Sequence, residues 1–294
     1  MWWLLACRPA ATDDASGVTG ETGVTSETGA DGCVASATDG LGAEPWFDGW
    51  SGELVFRAAP GFSWLRGAFL DRPSVHWQVE TDRIGACRLE RYTPGFCEPA
   101  CAGDQLCRVD TCVDWPRVVH GGAITLTGPV EPALVVAPDG LGGYDGYTYA
   151  DVDRGADWVL TGAAGEDVPA FSAETCPVRA PTATADWDAL LEARAPGTDV
   201  VLAWSDRDPS ARIRLRMTTG TATHGGIAHA EVACEGPDTG SLVLPGAFLD
   251  ALYSEGWACG ECGGNELIRY RAGAIGATGA VFTAEAATWF WHIP

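Results

Sequence analysis

The chain has 294 residues, 46% of them hydrophobic, with 13 Trp and 38 Gly. That is enough apolar area for a large β domain and too much for a chain disordered throughout. Forty Asp and Glu stand against 18 basic residues, every one an Arg, for a formal charge of −22; this balance excludes a nucleic-acid backbone as partner and disfavours direct adhesion to anionic lipid.

At the N-terminus, Leu4-Leu5-Ala6-Cys7 resembles the lipobox of bacterial lipoproteins, in which apolar residues precede a small one and the modified Cys. The resemblance implies that residues 1–7 are a short signal, that the chain is cut before Cys7, and that Cys7 carries an acyl anchor into a lipid bilayer. Residues 8–44 then form a Thr/Gly/Asp/Glu-rich stalk with a short tandem repeat, Val18-Thr-Gly-Glu-Thr-Gly23 followed by Val24-Thr-Ser-Glu-Thr-Gly29. So polar a segment buries too little apolar area to offset its ordering entropy. No run of 18 apolar residues occurs anywhere, so attachment to a membrane is expected to rest on Cys7.

From residue 45 the pattern is strand after strand. Segments 53–57, 74–80 and 123–127 are short, β-branched or aromatic, and bounded by Gly or Pro; so are 157–161, 199–204, 211–217, 241–244, 266–270 and 280–283. Alternation is clearest in 212–217, which predicts Arg212, Arg214 and Arg216 on one face and Ile213, Leu215 and Met217 on the other. Helical pattern is confined to 186–194 and to 246–253, the latter opened by Pro245. We therefore expect a mostly β protein, an antiparallel β-sandwich (one or two) with a small disulfide-rich module and one or two short helices. The expected division is N-terminal strands and Cys-rich module over 45–118 and a sandwich over 119–294, unless 45–294 intertwine as one domain.

Eleven cysteines point to an oxidising compartment. With Cys7 acylated, ten remain to pair: Cys33, Cys87, Cys97, Cys101, Cys107, Cys112, Cys176, Cys234, Cys259 and Cys262. The run Cys97-x3-Cys101-x5-Cys107-x4-Cys112, with Cys87 upstream, has few apolar residues between its cysteines and must be held covalently. Its four core cysteines allow three pairings, and zinc ligation is the competing use of such thiols. If Cys33 and Cys87 complete that group, Cys176 is left to pair with Cys234. Cys259-Gly-Glu-Cys262 has redox spacing, but without a βαβ setting a structural loop bridge is expected.

Cys97-Glu-Pro-Ala-Cys101-Ala-Gly-Asp-Gln-Leu-Cys107, Cys112-Val-Asp-Trp-Pro116 and Gly121-Gly-Ala-Ile-Thr-Leu-Thr-Gly128 resemble exported Cys-rich lipoproteins of myxobacterial-type genomes. The similarity extends through Asp167-Val-Pro-Ala-Phe171, Val201-Leu-Ala-Trp204 and Cys234-Glu-Gly-Pro-Asp-Thr-Gly-Ser-Leu-Val-Leu-Pro245. The resemblance implies export, a Cys-rich module and β architecture, and it brings no assigned activity.

Candidate chemistry is sparse. Asp238-Thr-Gly-Ser241 spells an aspartic-protease signature, but the second Asp-Thr-Gly that such chemistry needs is missing, so a tight turn is expected. No Gly-x-Ser-x-Gly elbow occurs, and His224 and His229 have neither helical nor strand-face metal spacing. Asp151, Asp153 and Asp157 could ligate Ca²⁺ but lack the Asp-Gly step and closing Glu of a calcium loop. Arg212, Arg214 and Arg216, joined by Arg269 and Arg271, could offer a positive stripe to an anionic polymer; cross-strand carboxylates are the competing partners. Trp46, Phe47 and Trp50, and Trp289 with Trp291, could stack on sugars or fill a core. The expectation is an exported, lipid-anchored, non-enzymatic surface protein that meets an extracellular glycan or protein and needs no cofactor. A hydrolase with a site assembled from scattered residues is the alternative.

Overall fold

A computed structural model describes residues 50–290, apart from 60, 76–77, 93–95, 154, 156, 220–228, 256–264 and 277. The first half runs β1 (Gly52–Arg57), β2 (Ser63–Leu70), β3 (Gln78–Ile84), β4 (Cys87–Tyr92), β5 (Gln105–Arg108), β6 (Thr111–Asp114), β7 (Val118–Val119), β8 (Ile124–Thr127), β9 (Leu134–Val136) and β10 (Tyr144–Thr148). It continues through β11 (Trp158–Gly162), β12 (Phe171–Thr175), β13 (Thr182–Ala183), α1 (Trp187–Glu192), β14 (Val200–Ser205) and β15 (Arg212–Thr219). The last elements are β16 (Ala230–Pro237), β17 (Ser241–Leu244), α2 (Gly246–Ser254), β18 (Asn265–Ala274) and β19 (Val281–Phe290).

The fold is mostly β with two short helices, as the composition and turn spacing predict. Its backbone is a large sheet in the order β10-β2-β1-β19-β18-β15-β16-β4-β3, with β7 added beside β2. Neighbours are antiparallel except β1 and β19, which run parallel. Strands from 45–118 and from 119–294 therefore interleave in one sheet. Close approach of β1 and β2 depends on Gly67: a Cβ there would sit 1.8 Å from the carbonyl oxygen of Glu53, and its φ of 149° is one that L side chains rarely adopt.

One face of the large sheet is apolar and packs on two separate layers. Leu54, Phe56, Leu65, Phe69 and Phe282 meet Ile124, Leu126, Trp158 and Leu160 of a four-stranded sheet, β12-β11-β8-β9. Farther along, Ile213, Leu215, Met217, Val232 and Leu267 meet Trp204 of β14, Leu244 of β17, Leu191 of α1, and Phe248 and Leu252 of α2. Each fully buried side chain of this size contributes about 1.5–3 kcal/mol relative to exposure. The helices begin where local chemistry predicts. The Asp186 carboxylate accepts from Ala189 N at 3.1 Å, and α2 follows Pro245 with Gly246 N donating to Asp199 at 2.8 Å.

The structure adds strands that the pattern does not mark, among them β2, β4 and β10 of the large sheet, and moves another. Extended structure predicted at 74–80 is found as Gln78–Ile84, ahead of a turn at Gly85, whose φ is 58°. Ala230–Pro237, absent from the segments predicted to extend, is a full strand of the large sheet. Its residues are buried on both sides, so it lacks the alternation by which half-exposed strands are recognised.

Candidate functional site: the charged face of the large sheet

Period-2 alternation sends every second side chain of these strands to the face opposite the two cores. That face carries Arg212, Arg214 and Arg216 of β15, as predicted, and their partners lie on adjacent strands. Arg216 grips Glu231 of β16 through Nε and Nη2, both at 2.9 Å. Glu235 lies 3.4 Å from Arg212 Nε and 3.6 Å from Arg214 Nε, and it accepts from the Tyr270 hydroxyl. Arg57 of β1 donates to Glu285 at 2.7 Å and to Glu266 at 2.8 Å. In two of these pairs the carboxylate sits lower than the guanidinium group. Side-chain exposure is 48% for Arg216 against 7% for Glu231, and 25% for Arg214 against 0% for Glu235.

Burial sets the electrostatics. It raises Glu285 above the usual carboxylate range despite Arg57, with Glu53 and Glu266 as like-charged neighbours. Burial likewise raises Glu235 against the opposing pull of Arg214, and it raises the Tyr270 hydroxyl. Arg216 is held in its charged form chiefly by Glu231.

Aromatic rings accompany the charges. The Arg57 guanidinium lies 5.1 Å from the Trp64 ring and 5.7 Å from Trp289, and Arg66 lies 5.2 Å from Trp64. Arg66 also pairs with Asp145 of β10 at 2.8 Å and keeps 43% of its side chain exposed. Tyr147 stands directly opposite Trp64 across the β10–β2 ladder. Beyond it, Phe62, Tyr147 and Tyr149 touch one another at centroid distances of 5.4–6.0 Å, and all three are exposed. Trp289 also faces solvent.

The remaining predicted sites fall out as follows. Arg269 and Arg271 do not join the stripe. The β15–β18 register pairs Arg212 with Tyr270, which turns both arginines to the opposite face. There Arg269 binds Asp238 at 2.7 Å in the interior, and Arg271 binds Asp208. Asp238 accepts from Trp204 Nε1, Arg269 Nε, Asp208 N and Gly240 N, the role of a structural hub at a turn. Asp151, Asp153 and Asp157 are exposed, and among the described residues they form no cluster able to hold an ion; Asp153 instead accepts from Gly155 N and closes a turn. His229 is exposed at the end of the β15–β16 ladder. Cys7, Cys33, Cys259, Cys262, Trp46, Phe47, Trp291 and His224 lie outside the described residues.

The cysteines of the module form Cys97–Cys107 and Cys101–Cys112 disulfides. Cys87 pairs with Cys234, which corrects the expected Cys176–Cys234 bridge. The reason is register: β4 and β16 are neighbours, and Cys87 lies directly opposite Cys234 with Cα atoms 3.9 Å apart. Cys176 is disulfide-bonded too. So many bridges belong to an oxidising, non-cytoplasmic compartment. No helix among the described residues is long and apolar enough to cross a membrane.

The aromatic strip went unrecognised in the sequence. Phe62-Ser-Trp-Leu-Arg and Tyr147-Thr-Tyr149 do alternate, but they are short and flanked by Gly, which obscures the period. The chain matches no protein-family model and no curated protein.

Proposed function

We propose that this is an exported, lipid-anchored, non-enzymatic surface protein that holds an extracellular glycan on the charged, aromatic face of its large sheet. Cys7 supplies the anchor, and residues 8–44 supply reach from the bilayer. The observation that carries the binding role is the exposed aromatic strip with an arginine between Trp64 and Trp289. A row of rings interleaved with charges suits sugars, whose apolar C–H faces stack while their hydroxyls find donors and acceptors. A protein interface would instead concentrate its apolar residues and keep charges out of the centre.

The anchor and the binding role are tested separately. In the native host, Cys7→Ser should move the protein from the membrane fraction to the aqueous one; retention in membranes overturns the anchor. With the Cys7→Ser full chain, titration of tryptophan fluorescence with a set of polysaccharides should give saturable binding that Trp289→Ala weakens. Hydrolysis is the second reading, because Glu266 and Glu285 converge on one guanidinium beside Trp289 and carboxylate pairs serve glycoside cleavage. Release of reducing ends, lost in Glu266→Gln, would replace the binding role with that chemistry.

A further inference from the structure

Building on the glycan reading of this face, we infer that the ligand is an anionic polysaccharide, one whose sugar rings carry carboxylate or sulfate groups. Tyr147, Trp64, Arg57, Trp289, Glu266 and Arg216 lie on six consecutive strands, β10, β2, β1, β19, β18 and β15. They form one oblique row, because Arg57 bridges Trp64 to Trp289 and donates to Glu266, while Glu266 stands opposite both Trp289 and Arg216 in the ladders. Five inter-strand steps at about 4.8 Å make the row roughly 24 Å wide, several sugar rings long. An extended polymer fits it better than a single small sugar.

The sign of the ligand follows from depth. In a chain of net charge −22, most surfaces repel polyanions. At the β15 end the arrangement is inverted: Glu231 and Glu235 are sunk beneath Arg216 and Arg214, which form the outer layer, whereas at the β10 end Arg66 and Asp145 share the surface. At the β15 end an approaching polymer therefore meets arginine forks before it meets carboxylates. Planar forks recognise carboxylate and sulfate in paired fashion, which ammonium groups do not, and this chain contains arginine and no lysine. The exposed rings at the β10 edge continue the row at its other end, so ring stacking and charge recognition alternate along one line.

The test uses the full chain carrying Cys7→Ser, with polygalacturonate and its methyl ester as probes of one backbone in charged and neutral form. Binding measured by calorimetry should favour polygalacturonate by about tenfold or more, the worth of one charge-assisted hydrogen bond, and should weaken as salt rises. Arg216→Gln should remove about tenfold of that affinity and leave the ester unaffected. Because Arg216→Gln strands Glu231, the exposed variants Arg66→Gln and Tyr147→Ala serve as a second arm, each checked for an unchanged melting temperature. Arg66→Gln should weaken the charged polymer alone, whereas Tyr147→Ala should weaken both by about fivefold. Equal binding of polygalacturonate and ester overturns the anionic ligand while leaving the glycan reading intact. Binding of neither overturns both. Polyanion binding indifferent to Tyr147→Ala, Arg66→Gln and Arg216→Gln is diffuse electrostatic attraction and overturns the row as the site.

Discussion

The two faces of the large sheet are built from alternate residues of the same strands and are held by opposite means. Toward the cores, Leu54, Phe56, Ile213, Leu215 and Phe282 pack against two separate layers, and their attraction is non-directional. Toward the other side, Arg57, Arg212, Arg214 and Arg216 meet carboxylates at defined distances, and each contact depends on both partners. Burial of an apolar side chain survives a small shift of its neighbour. A buried carboxylate that loses its arginine keeps its desolvation penalty with nothing to offset it. The first face holds the fold together, and the second holds a pattern.

The largest loss of stability is expected at the disulfide between strands of the apolar face. Replacing Cys87 and Cys234 with Ala opens a loop of 147 residues and should cost about 5 kcal/mol in chaotrope-induced unfolding, provided the loop-entropy account holds. Next comes the apolar packing itself. Phe56→Ala, at a fully buried ring in contact with Trp158, should lower stability by about 3–5 kcal/mol, read as a shift in denaturation midpoint without a change in slope. Asp238→Ala, which strands the interior Arg269, should cost about 3 kcal/mol, and adding Arg269→Met should recover part of it. A mutant pair as unstable as Asp238→Ala alone would show that the hub acts through Trp204 and the turn instead.

Smaller effects sharpen the charged side. Glu285 has its proton affinity raised in the folded state above the ordinary 4.5, so the folded protein holds that proton more tightly than the unfolded chain does. Its contribution is favourable on the acid side and is lost as pH rises from about 4.5 through the raised value. Glu285→Gln should therefore gain relative to the parent as pH climbs across that window; a difference flat in pH would contradict this. Asp71 works in the opposite sense. Hydrogen bonds from Arg117 lower it from 3.8 to about 2, so its stabilisation is present above 3.8 and fades as pH falls through about 2. Least of all, Arg66→Ala breaks an exposed pair with Asp145 and should change the melting temperature by no more than about 0.5 kcal/mol allows. Its effect on polysaccharide binding should be far larger than its effect on stability.

Much of this was legible residue by residue. Alternation in 212–217 sorted Arg212, Arg214 and Arg216 from Ile213, Leu215 and Met217, and Asp186 and Pro245 marked the two helices. The crowded cysteines of 97–112 announced a covalently held module. Of the site, Trp289 and the arginine stripe stood out separately, but the row that joins them was not legible. Trp64, Tyr147 and Trp289 lie more than 80 residues apart in the chain and share a row only because β10, β2, β1 and β19 are laid side by side. Residues 269 and 271 were expected beside the arginine stripe because register, which decides the face, is not written in either strand alone.

What the amino-acid order determined by itself is local: which segments extend, which two turn into helices, which side chain of each strand points with which, and that the cysteines belong to an oxidising compartment. Those properties depend on backbone sterics and on periods of two and 3.6, which act over a few residues. Only the tertiary structure decided that Cys87 faces Cys234, that Asp238 is a buried hub, and that the arginines of β1 and β15 meet carboxylates of neighbouring strands on the face opposite the cores. Each of these joins strands far apart in the chain, and their choice of neighbour is made by the burial of both cores at once.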